Sequence, residues 1–352
     1  MLDEIAIIKW GVNITEEIKP NFIVTKKENR YFVQRELSDK EYENVKNAIR
    51  KLGSNYSFAF LKSRLEGYEI RLNSIDFLLD QYKKIEKNID KDSTNVNKIR
   101  KIQSIKLDLI SKILMIIEDL AYISKSFYEF HINNKEISKT YLAARRPYDI
   151  LQKFINEQTG DINVKKVFLY PTEKTEIDDI LKLKSEEKDR LWKALKESTD
   201  HISNVYRSAV QIYDNFNRIY NKYKHGLTQI FPYACDGVKF EISPPANVED
   251  DDNKLKQYIN RKLFRDIWLL DLNSNNNYEL EGPIDFSYNY FVKIYNSTIK
   301  NFTKLYWGII QIHLNWGYKD AYLALITNTK EKYKNLKSKL MDKSNYIYDE
   351  SD

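Results

Sequence analysis

The stretch Arg218-Ile-Tyr-Asn-Lys-Tyr-Lys-His-Gly226 ends a long segment whose apolar residues recur at helical spacing. Upstream, two interleaved series with a period of seven residues form one mostly apolar seam: Leu191, Ser198, Val205, Ile212 and Ile219, and Leu195, Ile202, Ala209, Phe216 and Tyr223. This period predicts an amphipathic helix that begins at about Ser185. Gly226 predicts its end, because helices commonly close on a glycine in the left-handed conformation.

Polar residues occupy the other side of this predicted helix. At about 100° per residue, Arg218, Asn221 and His225 fall within about 60° of arc, centred roughly 150° from the seam. We name the full set the polar stripe, which consists of Arg207, Gln211, Asp214, Arg218, Asn221 and His225. Because the stripe cannot pack against the core that the seam uses, it contacts either water or another subunit.

The last three residues of the polar stripe suit the cleavage of RNA without a metal ion. A histidine can accept or donate a proton near neutral pH. An arginine can hold a phosphate through two hydrogen bonds and stabilise the charge that develops on it. An asparagine can orient either group or the ribose. The set therefore predicts attack of a 2′-hydroxyl on the neighbouring phosphate.

These residues resemble the motif of the HEPN superfamily of small helical ribonucleases, in which an arginine is followed by four to six residues and then a histidine. Arg218 and His225 enclose six residues. The family usually places a polar residue directly after the arginine, where this chain has Ile219, and Asn221 offers a polar group one turn later. The resemblance implies that Arg218, Asn221 and His225 are catalytic and that no metal or other cofactor is needed.

Several basic residues are candidate RNA contacts. Arg207 lies in the polar stripe, and Lys222 and Lys224 lie between Arg218 and His225. Arg145 and Arg146, directly before a proline, are candidates for holding a phosphate.

Each of these signals also has a structural interpretation. Paired arginines are common on solvated surfaces, and lysine or histidine before a terminal glycine is an ordinary helix-capping pattern. Asp214 and Arg218 are four residues apart and can pair on a helix surface.

Composition excludes several classes of protein. Charged residues make up 31% and apolar residues 42% of the 352 residues, a balance typical of soluble globular proteins. The net charge of +6 permits an anionic partner. The single cysteine, Cys235, excludes a disulfide framework and a cysteine-based zinc site. The acidic start is unlike a signal peptide, and the most apolar run, Ile105–Ile117, contains charged residues, so we expect a cytoplasmic protein without membrane contact.

The predicted fold is mainly α, a bundle of long helices. A small β element occupies residues 1–37, where Phe22–Thr25 and Arg30–Gln34 flank a polar turn. The helical bundle spans residues 38–340, with a β-hairpin insertion at 227–250 around Asp236-Gly237, and residues 341–352 form a frayed tail.

Within the bundle, Ser38 and Glu41 predict a capping box at the start of the first helix. Further helices are predicted at 57–88, at 98–131 as the central core helix, at 136–158 with Pro147 starting or kinking it, from Pro283 to Trp316, and from 319 to 340. His131 is interpreted as a helix cap or a satisfied surface group, His201 as a packed or solvent-facing residue, and His313 as a structural residue.

The predicted function is that of a HEPN-type endoribonuclease, acting as a toxin or an anti-phage defence effector. The resemblance implies a homodimer whose motif helices face each other across a two-fold axis, and an activating or neutralising protein partner is possible for such an effector. Two alternatives stay open from the sequence. One is a HEPN-like module that binds a nucleic acid or a nucleotide without cleaving it, and the other is a helical partner-binding protein.

Overall fold

The computed structural model of the chain is mainly α, which confirms the predicted fold class. It divides into two compact units. Unit 1 comprises residues 1–67, 120–207 and 303–352, and unit 2 comprises residues 68–119 and 208–302. The residues that the structure describes are 6–10, 22–27, 30–35, 38–89, 96–177, 184–225, 229–230, 232, 237, 239–249, 251–264, 266–272, 278–284, 286–318, 323–327 and 346–348. Within these ranges, no helix has both the length and the apolar character that crossing a membrane requires.

The elements follow one another in this order. The helices are α1 (Asp39–Lys51), α2 (Asn55–Ile89), α3 (Val96–Asn133), α4 (Ile137–Ala143), α5 (Pro147–Ile155), α6 (Gly160–Phe168), α7 (Ser185–His225), α8 (Ala246–Glu249), α9 (Asp252–Phe264), α10 (Tyr288–Ile294) and α11 (Lys300–Tyr318). A 3-10 turn lies at Lys174–Glu176, and a π-helical turn, Tyr295–Ile299, joins α10 to α11. The strands are β1 (Ala6–Trp10), β2 (Phe22–Lys27), β3 (Arg30–Arg35), β4 (Gln229–Ile230), β5 (Ile267–Leu272), β6 (Tyr278–Ile284), β7 (Leu323–Thr327) and β8 (Tyr346–Tyr348).

The β structure of unit 1 joins the two ends of the chain. Strands β2 and β3 form the predicted hairpin, with Val24 opposite Val33. Strand β1 pairs with β7 and β8, both antiparallel, in the order β7-β1-β8. The helix predicted over 319–340 is therefore wrong for β7, and three residues of the predicted frayed tail form β8. The physical reason is that the backbone groups of β1 require partners, which a local sequence pattern cannot identify.

Local signals set the helix ends in unit 1. The Ser38 hydroxyl accepts from the Glu41 N–H, and the Glu41 carboxylate accepts from the Ser38 N–H at 2.8 Å, which confirms the capping box. The helix predicted over 136–158 is divided into α4 and α5, because Arg146 adopts a left-handed backbone with φ 56° and Pro147 starts α5. Helix α6 was not predicted.

The core of unit 1 takes apolar residues from three long helices. The buried side chains include Leu120, Ile123 and Phe127 of α3, Ile202, Val205 and Tyr206 of α7, and Leu305, Ile309 and Ile312 of α11. His313 is fully buried, stacks on the Phe127 ring at 3.4 Å between centroids, and its Nε2 lies 3.0 Å from Nε2 of His131. His313 therefore has the structural role that the sequence indicates, whereas His131, expected as a cap or a surface group, packs against His313.

The sheet of unit 2 replaces the predicted β-hairpin. Gly237 lies in a turn with φ 76°, but Lys239–Pro245 has no strand, and β4 pairs with β5 in a sheet of order β4-β5-β6. The apolar residues Trp268 and Leu269 of β5 are buried, so β4 pairs with a buried strand. The first arm of the predicted hairpin, at 231–236, lies largely outside the described residues. Pro283, predicted to lead a helix, lies in β6 instead.

A buried cluster of charges in unit 2 has no counterpart in the sequence predictions. The carboxylate of Asp266 is fully buried and lies 2.8 Å from Nζ of Lys262 and 3.9 Å from Nζ of Lys106. The indole N–H of Trp268 donates to the carbonyl oxygen of Lys262 at 2.9 Å. Because a buried charge is costly without an opposite charge nearby, the cluster ties α3, α9 and β5 into one arrangement.

Candidate nucleic-acid interface

Helix α7 has the extent and the buried seam that the sequence predicts. It runs from Ser185 to His225 without interruption. Nine of the ten seam positions are buried: Leu191, Leu195, Ser198, Ile202, Val205, Ala209, Ile212, Phe216 and Ile219. The tenth, Tyr223, has a side chain outside the described residues. The Ser198 hydroxyl, the polar exception in the seam, donates to the carbonyl oxygen of Ile326 in β7.

The polar stripe lies on the exposed face of α7, as predicted. Its first five members are all exposed: Arg207, Gln211, Asp214, Arg218 and Asn221. His225 is the last residue of the helix, and its side chain, like that of Lys224, lies outside the described residues. The stripe therefore combines Arg218 and Asn221 on one solvent-facing surface directly before the end of the helix.

Two members of the polar stripe are held by hydrogen bonds along the helix surface. The Arg207 guanidinium donates to Oδ1 of Asn204 at 2.7 Å, and the Asn221 amide donates to Oδ1 of Asn217 at 2.8 Å. Each bond joins residues three or four apart, which are neighbours on a helix. The side chains consequently lie along α7 in defined directions instead of extending freely into solvent.

Lys222 lies beside the stripe but has a different environment. Its side chain is half-buried, and Nζ donates to the carbonyl oxygen of Leu270 in β5 at 2.8 Å. A charge-assisted hydrogen bond of this kind stabilises more than a neutral one. Lys222, predicted as an RNA contact, therefore anchors the end of α7 to the sheet within unit 2.

Arg145 and Arg146, predicted to hold a phosphate, line a pocket of about 200 Å³ in unit 1. We name this cavity the arginine pocket. Lys125 and Tyr128 of α3 line it together with Lys153 and Phe154 of α5. The sequence prediction did not include these last four residues, although Lys125 and Tyr128 are three apart on α3 and so share a face.

The backbone between α4 and α5 determines where the two arginines lie. The Arg145 guanidinium donates to the carbonyl oxygens of Leu142 at 3.1 Å and Ala144 at 2.6 Å. These carbonyls belong to the end of α4, where helical acceptors lack partners. Arg146 follows in the left-handed conformation and precedes Pro147. The Arg-Arg-Pro sequence is the local signal for this junction.

Packed aromatic rings form the floor of the arginine pocket. Phe154 is buried and stacks on Tyr206 at 4.9 Å between centroids, and the Tyr128 ring meets Phe154 edge-on at 6.4 Å. The Tyr206 hydroxyl lies 2.7 Å from Oγ of Ser124, and burial raises the pKa of Tyr206. Because these rings are held by stacking and hydrogen bonding, the floor is a preformed surface.

Helix α6 completes one wall of the arginine pocket through a close approach to α5. Gly160 begins α6, and a Cβ at this position would lie 2.8 Å from the carbonyl oxygen of Phe154, so a larger residue would clash. Asn163, one turn later, lines the pocket and donates to the carbonyl oxygen of Lys153 at 2.7 Å. The glycine therefore permits the helix packing that shapes the pocket.

The charges that line the arginine pocket favour an anion. Four are cationic, and two are acidic, Glu129 and Asp149. Lys135 lies 2.6 Å from the Glu129 carboxylate, and this hydrogen bond lowers the pKa of Glu129, so that acid is already neutralised. Asp149 lies 4.0 Å from Arg146, and both side chains are exposed. Exposed ion pairs of this kind are weak, because water and salt screen their charges. The remaining excess of positive charge attracts phosphate groups.

Among the described residues, no group of three histidine, cysteine, aspartate or glutamate side chains lies close enough to hold a metal ion. Comparison of the chain with family models, curated proteins and solved structures finds no match. The HEPN resemblance consequently remains a prediction that is based on Arg218, Asn221 and His225.

Proposed function

We propose that this protein is a metal-independent endoribonuclease of the HEPN type that acts in the cytoplasm. The observation that supports the proposal is the exposed polar stripe on a helix that runs unbroken to His225. Arg218 and Asn221 both face solvent there, opposite a buried seam, so an RNA backbone can approach them without disturbing the core.

The proposed reaction needs a base, an acid and a group that stabilises negative charge. A histidine removes the proton of the ribose 2′-hydroxyl, and the 2′-oxygen forms a bond to phosphorus. The bond from phosphorus to the 5′-oxygen breaks, and this oxygen takes a proton from the acid. Arg218 stabilises the charge on the non-bridging oxygens, and Asn221 orients the ribose. The products carry a 2′,3′-cyclic phosphate and a 5′-hydroxyl.

A homodimer would supply the second proton-transfer group. One polar stripe provides a single histidine, whereas the reaction gains from a base on one side of the phosphate and an acid on the other. A two-fold interface places each residue near its symmetry mate, so two copies of His225 can share one phosphate. The proposed partners are RNA, a second copy of this chain, and an activating or neutralising protein of the kind expected for a toxin or defence effector.

The test is cleavage of end-labelled single-stranded RNA in the presence of EDTA. We expect products that end in 2′,3′-cyclic phosphate, and a loss of about 10²–10⁴-fold in rate for His225→Ala and for Arg218→Ala. Arg190→Gln removes an exposed arginine near the start of α7 and is the matched control, with an unchanged rate. A strict need for Mg²⁺, or full activity in both variants, would overturn the assignment.

A non-cleaving nucleic-acid-binding module is the second candidate, and the cationic arginine pocket favours it. The same experiment separates the two functions. Retention of RNA in a filter-binding assay without any cleavage products would support the binding module. If the RNA is neither retained nor cleaved, the result favours the helical partner-binding protein.

A further inference from the structure

We propose that the arginine pocket binds one nucleotide, a base with an attached phosphate, either as a free mononucleotide or as the phosphorylated end of an RNA strand. The proposal does not depend on cleavage at the polar stripe. It is based on three features of unit 1: the excess of cations, the aromatic floor and the backbone conformation of Arg146.

The cations of the pocket suit a phosphate. The Arg145 guanidinium is held in place by its two backbone acceptors, so binding an anion costs it little conformational entropy. The Arg146 side chain is 85% exposed, and its carboxylate partner Asp149 is 4.0 Å away. The Arg146 guanidinium can exchange this weak contact with Asp149 for a bidentate hydrogen bond to two phosphate oxygens. Lys125 and Lys153 add two further positive charges to the lining.

The aromatic rings and the size of the pocket suit one base. The half-exposed Tyr128 ring, packed edge-on against the buried Phe154 ring, offers an apolar surface beside the cations, and nucleobases stack on such a ring without regard to sequence. The volume of about 200 Å³ is below the roughly 300–1,000 Å³ of pockets for drug-sized ligands. A single nucleotide unit whose sugar remains at the rim fits this volume, whereas a dinucleotide cofactor does not.

The backbone at Arg146 also indicates a role for its side chain. A non-glycine residue in the left-handed conformation is strained, and here it stands before a proline. Glycine or asparagine would adopt this backbone more readily. The arginine that adopts this less favourable backbone is one of the residues that line the pocket.

Isothermal titration calorimetry of the full chain tests the proposal with three probes. These are inorganic phosphate, adenosine 5′-monophosphate, and a six-nucleotide RNA that carries a 5′-phosphate and 2′-O-methyl groups, which prevent cleavage by 2′-hydroxyl attack. We expect the monophosphate to bind at least tenfold more tightly than inorganic phosphate. Tighter binding of the RNA than of the monophosphate assigns the site to a strand end, and the reverse order assigns it to a free nucleotide. Binding of neither nucleotide probe, or equal affinity for phosphate and monophosphate, would overturn the proposal.

Two variants separate the contributions of charge and base. Arg146→Asn should weaken adenosine 5′-monophosphate and phosphate alike by at least tenfold. Tyr128→Leu should weaken the monophosphate about fivefold or more and leave phosphate unchanged, because stacking contributes about 1–3 kcal/mol per base. Arg190→Gln, which removes an exposed arginine of unit 1 outside the pocket, should change neither affinity.

Each variant result decides the proposal. Full affinity for the monophosphate in Arg146→Asn would contradict nucleotide binding in the pocket. A loss of affinity in Arg190→Gln equal to that in Arg146→Asn would also contradict it, because it would indicate general charge attraction. Thermal unfolding of each variant confirms that the fold is retained. Because binding is measured without turnover, a failure here leaves RNA cleavage by the polar stripe untouched, and the absence of cleavage leaves nucleotide binding by the pocket untouched.

Discussion

The polar stripe and the arginine pocket are both candidate sites for a phosphate, but they are built in different ways. The stripe belongs to a single helix, and its members lie on the exposed face because the helix buries the opposite one. The pocket draws its lining from α3, α5, α6 and the junction before α5, and it has a buried aromatic floor.

This difference has a physical consequence for the two sites. Exposed charges on a helix face are screened by water and salt, so the stripe contributes orientation and chemistry more than affinity. The pocket combines its cations with apolar surface, which excludes part of the water and strengthens each interaction with an anion. We therefore expect the pocket to dominate nucleotide affinity and the stripe to dominate turnover.

The largest effect should distinguish the two faces of α7. Phe216 is fully buried and belongs to an aromatic cluster with Phe286, Tyr290 and Phe291, whereas Gln211 is exposed. Phe216→Ala should lower the free energy of unfolding by about 3–5 kcal/mol, because it leaves a cavity. Gln211→Ala should change it by less than about 0.5 kcal/mol. Urea unfolding followed by circular dichroism measures both, and similar losses in the two variants would contradict the assignment of the faces.

The second prediction concerns how the free energy of unfolding depends on pH through the histidines His131 and His313. Burial, with a smaller effect from Lys166, lowers the pKa of His131 from 6.5 to about 4, and burial also lowers the pKa of His313. Between pH 6.5 and 4 the unfolded chain binds a proton at His131 that the folded chain does not. The contribution of His131 to the free energy of unfolding is therefore constant above pH 6.5. As the pH drops from 6.5 toward 4, the free energy of unfolding falls by about 3 kcal/mol.

Urea midpoints at a series of pH values measure this slope. His131→Gln, which cannot titrate, should flatten much of it while the remaining slope from His313 persists. A decline in RNA cleavage above pH 6.5 would then belong to the polar stripe and not to the buried histidines. An unchanged slope in His131→Gln would show that other groups control the acid sensitivity.

A smaller effect concerns two cations that the sequence alone treats alike. Lys222 donates to the Leu270 carbonyl, whereas Arg207 lies exposed on the stripe and donates to Asn204, three residues before it. Lys222→Met should lower the free energy of unfolding by about 1–2 kcal/mol, since it removes a charged hydrogen bond. Arg207→Ala should lower it by less than about 0.5 kcal/mol. If the thermal midpoints of both variants match, Lys222 is not an anchor.

The smallest effect sharpens the contrast between stability and binding at the arginine pocket. Arg146→Gly should relieve the left-handed strain and raise the free energy of unfolding by up to about 1 kcal/mol. The same change should weaken nucleotide binding. Arg145→Gly serves as the comparison, because it removes the bonds to the end of α4 and should destabilise the protein. A destabilised Arg146→Gly would show that its side chain is required for the fold.

Some features followed from the sequence because their causes are local. The capping box at Ser38 and Glu41 and the seam and exposed stripe of α7 depend on contacts between residues three to seven apart. The β2–β3 hairpin likewise forms between neighbouring segments. Short-range geometry is nearly the same in every helix or hairpin, so the amino-acid pattern is sufficient to predict it.

Other features could not be predicted because their partners are distant in the chain. The β7 segment was predicted as a helix, yet it pairs with β1, which precedes it by more than 300 residues. Strand β4, placed by the sequence in a local hairpin insertion, pairs with β5 instead. Lys106 lies 3.9 Å from Asp266, which is also far from it in the chain. In each case a backbone or charged group obtains the partner that burial requires, and only the folded chain identifies that partner.

The sequence by itself determined the mainly α class, the extent of α7 and the direction in which Arg218 and Asn221 face. The tertiary structure alone decided that Arg145 and Arg146 lie beside an aromatic floor and that Lys222 contacts β5. The physical reason is the range of the interactions. Helical periodicity acts over a few residues and is written in the chain, whereas a pocket exists only where packing brings separate elements together.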